Sequence, residues 1–230
     1  MSEFVTKVKH NPRPDISFVI LAGGESKKMK EFANRSLLKV NKKTIIRHQI
    51  DEIRRIYPQC QIVLVLGHEA ELVYQEVAAY DVCCVFTNQE HHTYQAALYG
   101  IRAVTNPNIF LLHNDILLNE EVLTFNLAHP TIVISEEKKD CVGIIHQNNI
   151  VTNITYGVKN AWQKIIYLTG NSIKYLRQQP IKKENWNRFD WELYNYLLEL
   201  DNFHYHIGKV KEINTGRDLC VANTNKSAKS

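Results

Sequence analysis

Through the first half of this chain, short apolar runs ending in turn residues alternate with stretches whose apolar residues recur at helical spacing. Residues 16–21 form one such run and stop at Ala22-Gly23-Gly24. Residues 61–66 form a second, ended by Gly67, and residues 82–86 and 109–113 a third and a fourth. Between them, Ile45, Ile46, Ile50, Ile53 and Ile56 repeat at helical spacing over residues 44–57, and Pro58 follows as a stop. Residues 69–79 and 93–104 read as further helices. The pattern is βαβαβαβ, which predicts an α/β fold with a parallel sheet covered by helices on both faces. Ligands of such sheets sit beyond the carboxyl ends of the strands. Gly23-Gly24, Gly67-His68 and Asn114-Asp115 therefore share one rim.

The second half is less regular. Residues 131–135, 141–146 and 150–154 read as short strands, and residues 171–178 and 190–200 as helices. Residues 204–207 and 210–213 read as a hairpin-like pair, with a closing helix over 215–222. The economical division is a polar extension (residues 1–15), one domain (16–222) and a polar tail (223–230). Within that domain, residues 16–134 and 135–222 form two halves.

A length of 230 residues can bury a sizeable core, and the net charge of +4 is far below that of a dedicated nucleic-acid binder. No run approaches the ~18 apolar residues of a membrane span, and residues 1–15 lack the apolar core of a secretory signal. Cys83 and Cys84 are adjacent in an apolar run and so point to opposite faces of a strand, which predicts buried thiols rather than disulfides. These features together predict a cytoplasmic protein with neither membrane nor nucleic-acid partners.

The densest signal is Leu21-Ala22-Gly23-Gly24-Glu25-Ser26-Lys27-Lys28-Met29, directly after the first strand. Glycines let a backbone approach a ligand closely, successive N–H groups can cradle phosphate oxygens, and two lysines add positive charge there. The segment resembles the signature of the nucleotidyltransferases that build nucleoside-diphosphate sugars and related activated alcohols. Phosphocholine cytidylyltransferases and the MobA-like NTP transferases belong to the same superfamily. Three further stations follow in the family's order: residues 34–41 at the position of its Pro-Lys pair and leucines, Phe110-Leu-Leu-His-Asn-Asp115, and residues 210–222 with Asn214, Thr215 and Asp218.

The resemblance implies a three-layer α/β/α sandwich with a mostly parallel mixed sheet, of the Rossmann-like glycosyltransferase A type. It implies transfer of a nucleoside monophosphate from a nucleoside triphosphate, CTP or UTP favoured, to a sugar phosphate or phosphorylated small alcohol, with pyrophosphate released. Carried over by residue, Leu21, Ala22, Gly23, Gly24, Glu25 and Ser26 would bind the nucleotide, and Ala96 and Ala97 fall in the segment that touches the base. Lys28 would meet the departing phosphates, and Arg35 the α-phosphate and the acceptor. Asp115 and Asn214 would hold Mg²⁺, with Asp115 also serving catalysis.

Lys28 stands where the family has arginine, Asn34 where it has proline, and Asn214 is a neutral ligand. These departures keep open a catalytically weakened nucleotide-binding relative, and Ser26 keeps open an enzyme like those that load GTP onto a molybdenum cofactor, whose loop also favours serine there. Asp115 and Asn214 also have an ordinary reading as turn or capping residues. His91, His92 and His113 read as solvated or core histidines, and Trp162, Trp186 and Trp191 as packing residues.

Overall fold

Strand β1 (Ile16–Leu21) is buried along its whole length after its first residue, as a strand covered on both faces must be. The computed structural model describes residues 15–24, 34–87, 92–137, 140–181 and 189–224. After β1 come a single 3₁₀ turn (Arg35–Leu37), a small ladder of β2 (Lys39–Val40) with β3 (Lys43–Thr44), and helix α1 (Ile45–Ile56). Then follow β4 (Gln61–Leu66), α2 (Ala70–Glu76), β5 (Cys83–Phe86), α3 (Thr93–Ala103), β6 (Asn108–His113) and the short β7 (Ile116–Leu117). The second half contributes β8 (Thr131–Ser135), β9 (Val142–Gln147), β10 (Ile150–Tyr156) and β11 (Ala161–Leu168). It continues with α4 (Asn171–Gln178), α5 (Asp190–Leu197), β12 (His204–Ile207), β13 (Lys211–Glu212) and α6 (Gly216–Thr224).

Among the described residues, one nine-stranded sheet runs in the order β5-β4-β1-β6-β11-β8-β12-β10-β9. Its first four strands are mutually parallel, and β11 then enters antiparallel to both β6 and β8. Alternate residues of β1 feed two separate cores. Phe18 and Ile20 join Ile46, Ile50 and Ile53 of α1 and Val73 of α2 on one face, while Val19 and Leu21 join Ala97, Leu98 and Ile101 of α3 on the other. Side chains of α4 and α5 complete that second layer. The result is the expected three-layer α/β/α arrangement.

Two details of the second half differ from the sequence expectation. Residues 204–207 and 210–213 are not a hairpin: β12 lies parallel to β8 in the large sheet, whereas β13 pairs antiparallel with β7 in a separate ladder. The strand β11 has no counterpart in that reading. It lies between β6 and β8 with seven of its eight residues buried, so no polar alternation marks it, and a register shift between Trp162 and Ile166 breaks its period.

The thiols follow the expected alternation: Cys83 packs into the α3-side core and Cys84 into the α1-side core. No helix among the described residues is long and apolar enough to cross a membrane.

Candidate active site

The carboxyl ends of β1, β4 and β6 bring three loops together. The first two meet backbone to backbone: a Cβ on Gly23 would lie 2.8 Å from the Gly67 amide nitrogen, and the His68 N–H donates to the Gly23 carbonyl at 3.1 Å. Gly24 is different, because among the described residues a Cβ there would meet nothing within 4 Å. Gly23 is thus required by the packing of two turns, whereas no described residue crowds Gly24. The Asn34 amide ties the two loops together, donating to the Ala22 carbonyl at 3.2 Å and the His68 carbonyl at 2.7 Å. Its Oδ1 also accepts from the Ser36 N–H at 2.8 Å, which starts the turn that carries Arg35.

Asp115 follows β6 and is 1% exposed. Its Oδ2 accepts from Arg35 at 2.7 Å and from the Lys164 ammonium at 2.6 Å. Its Oδ1 is buried and has no hydrogen-bond partner among the described residues. Burial alone pushes this carboxyl up, but Lys164, His113 and Arg35 together hold it below the ordinary carboxylate range.

Asn214 reaches the same point because the β7–β13 ladder closes with an Ile213 N–H donating to the Asp115 carbonyl at 2.8 Å. The Asp218 carboxylate then fixes the turn, accepting from the N–H groups of Asn214 and Thr215 and from the Thr215 hydroxyl, while the Asp218 N–H donates back to that hydroxyl. The Asn214 Oδ1 lies 3.3 Å from the Lys164 ammonium, and Glu212 lies 3.4 Å from it.

Lys164 itself comes from the bulge in β11, with φ of 60°, an uncommon conformation for a residue with a side chain. The bulge is pinned on both sides. The buried Gln163 amide donates to Ser135 and Ala161 and accepts from the Val210 N–H, and the Trp162 indole donates to the Ile165 carbonyl.

The sequence-predicted residues divide as follows. Gly23, Gly24, Arg35, Asp115 and Asn214 meet at one rim, with the Ala22 carbonyl anchoring Asn34. Leu21 and Ala97 lie in the core, and Ala96 is partly buried at its margin. Glu25, Ser26 and Lys28 lie outside the described residues, as do His91 and Trp186.

Two groups escaped the sequence reading. Lys164 is one, although a lone charge in the run Ala161–Leu168 was a usable signal. The other is the pair formed by His113 and Asp190. The His113 ring meets the buried Asp190 carboxylate at 2.8 Å, and the Tyr194 hydroxyl donates to the same oxygen at 2.9 Å. His113 also meets Trp162 edge-on at 5.3 Å, so it is a packed histidine held against a buried carboxylate and not a solvated one.

The model of one protein family, the MobA-like NTP transferase domain, matches residues 18–178, which span β1 through α4. The chain belongs to that family. As a MobA-like NTP transferase domain, it is 25% identical over 198 residues to the bifunctional protein GlmU of Caldicellulosiruptor saccharolyticus, covering 81% of this chain and 41% of that one. It is 32% identical over 105 residues to the same-named protein of Pseudomonas putida, covering 46% of this chain and 23% of that one. The chain thus spans well under half the length of these curated relatives.

Among solved structures, the domain resembles the CTP:phosphocholine cytidylyltransferase of Streptococcus pneumoniae, with a TM-score of 0.76 at 15% identity over 92% of this chain and 99% of that one. It also resembles the inositol-1-phosphate CTP transferase of T. maritima, with a TM-score of 0.70 at 11% identity over 88% of this chain and 90% of that one. At these identities the likeness speaks for the fold.

Proposed function

We propose that this domain is a Mg²⁺-dependent nucleotidyltransferase. It moves a nucleoside monophosphate, from CTP or UTP in preference, onto a sugar phosphate or a phosphorylated small alcohol and releases pyrophosphate. The observation that carries the reading is the divided Asp115 carboxylate: one oxygen is held by two cations and the other is buried without a partner among the described residues.

The Asp115 carboxylate, with one oxygen unpartnered among the described residues, and the Asn214 amide oxygen, reached by the same Lys164 ammonium, make a hard donor set of the kind Mg²⁺ takes, so the residues present fit the metal. When bound, Mg²⁺ would neutralise phosphate charge.

The chain's own groups carry the rest. No described residue crowds Gly24, which leaves its backbone free of side chains from them for a phosphate to approach. Arg35 and Lys164, both turned toward the same carboxylate oxygen, bring two positive charges to the place where a triphosphate and an acceptor phosphate would meet. Charge neutralisation and alignment are what phosphoryl-group transfer asks of a protein. The preference for CTP and a phosphorylated alcohol is supported by the names of the two structural neighbours.

A thermal-shift screen of CTP, UTP, GTP and ATP, each with and without Mg²⁺, tests the donor. A ligand at a hundred times its dissociation constant adds about 2.7 kcal/mol, a rise of roughly 5–11 °C for a domain of this size. The expected result is a Mg²⁺-dependent rise with CTP or UTP. A rise with GTP alone would move the reading to the molybdenum-cofactor type, and no rise with any nucleotide would overturn it.

A further inference from the structure

The position between Asp115 and Asn214 is already spanned by a positive charge. The Lys164 ammonium touches Asp115 Oδ2 at 2.6 Å and lies 3.3 Å from Asn214 Oδ1 and 3.4 Å from Glu212 Oε2. Reaching it requires a left-handed residue in the middle of an interior strand, and the surrounding bulge is held by the buried Gln163 amide and the Trp162 indole. Backbone strain of this kind persists only where neighbouring structure imposes it, so the aim of this side chain is built into the fold.

Among the described residues the ion pairs of this cluster set Arg35 and Lys164 against Asp115 and Glu212, two positive charges facing two negative, in a place where the Asp115 carboxylate is 1% exposed. A bare divalent cation entering this cluster would leave an uncompensated charge of two. A metal–triphosphate complex instead brings phosphate oxygens that neutralise its own metal, and its excess negative charge takes up the Lys164 ammonium displaced from Asp115.

We propose that Lys164 is a tethered counter-cation that competes with the divalent metal for Asp115 and Asn214, so that the site refuses free metal and accepts it only together with a polyphosphate. The inference rests on the reading that Asp115 and Asn214 hold the metal. It adds that Lys164 must release Asp115 when the metal–nucleotide arrives, which frees its charge for a phosphate at that moment. The metal requirement and the nucleotide requirement are then one event.

The test is a titration with Mn²⁺, following the electron-spin-resonance signal of the free ion, on the whole chain with and without CTP or UTP. The variants are Lys164→Met, Lys164→Gly and Asp115→Asn, each checked for folding by circular dichroism. Lys164→Gly suits the left-handed backbone and guards against misfolding of the longer replacement. Wild type is expected to bind Mn²⁺ weakly alone and well with the nucleotide. Both Lys164 variants are expected to bind Mn²⁺ alone about tenfold tighter or more than wild type, because a unit charge within ~4 Å of the site is gone. Asp115→Asn is expected to bind none.

If the folded Lys164 variants bind free Mn²⁺ no tighter than wild type, while wild type binds it with nucleotide and Asp115→Asn does not, the competition is overturned and the metal site stands. If no protein binds Mn²⁺ even with nucleotide, the metal reading falls and the inference goes with it.

Discussion

At the scale of single residues, the two glycines of the first turn have separate tasks, and substitution separates them. Gly23→Ala drives a methyl group into the Gly67 backbone, which cannot give as a flexible side chain would, so it is expected to cost about 1–3 kcal/mol of stability. Gly24→Ala meets no atom of the described residues and is expected to stay within about 0.5 kcal/mol of wild type while losing nucleotide affinity. Denaturant unfolding and nucleotide titration of both variants check this, and equal stability losses would refute it. The Asp190 carboxyl adds a pH signature. Burial pushes it up, but His113, Tyr194 and Thr93 hold it below the usual range. Its contribution to stability is therefore complete above ~3.9 and is lost as the pH falls through the lower folded value. The melting difference between wild type and Asp190→Asn is expected to hold from pH 7 to about 5 and to shrink below about 4.

At the scale of elements, α3 is seated through Gly100, where a Cβ would come 2.3 Å from Val19 Cγ1 and 2.8 Å from Val65 Cγ2. Gly100→Ala is expected to cost about 1–3 kcal/mol, read as a melting decrease of roughly 2–12 °C. The helix also carries Thr93, which accepts from the Asp190 N–H at 3.1 Å, so the seating of α5 is expected to loosen with it. The sequence announced α3 by its apolar spacing and β1, β4, β5 and β6 by unbroken apolar runs. It announced Asp115 because a polar pair after such a run stands at the functional end of a strand. It did not announce β11, since a bulged interior strand shows neither alternation nor a clean run. Lys164 was lost with that strand. The same cause misplaced β12 and β13: two short apolar segments near each other read as a hairpin, but their partners are β8 and β7, and pairing across more than 70 residues leaves no local trace.

At the scale of the whole molecule, the layers assign the thiols their chemistry. Cys60, Cys83 and Cys84 are buried between sheet and helices, Cys141 is half-buried and Cys220 is exposed. Burial pushes the Cys60 thiol to about 11 and, with its neighbour Cys83, the Cys84 thiol to about 12. A thiol reagent at pH 8 is expected to label Cys220 quickly and the three core cysteines only on unfolding, as mass spectrometry of the labelled chain would show. The same layering turns the carboxyl ends of the parallel strands into the rim where Gly24, Arg35, Asp115, Lys164 and Asn214 converge, each supplied by a different loop or strand. That convergence is the central claim, and pyrophosphate release tests it most directly. The donor that raises the melting point would be offered with phosphocholine, inositol 1-phosphate and glucose 1-phosphate, using wild type and Asp115→Asn. The account predicts pyrophosphate from at least one pair, slowed about a hundredfold or more in Asp115→Asn. Undiminished release by the variant, or none by wild type with any pair, would contradict it.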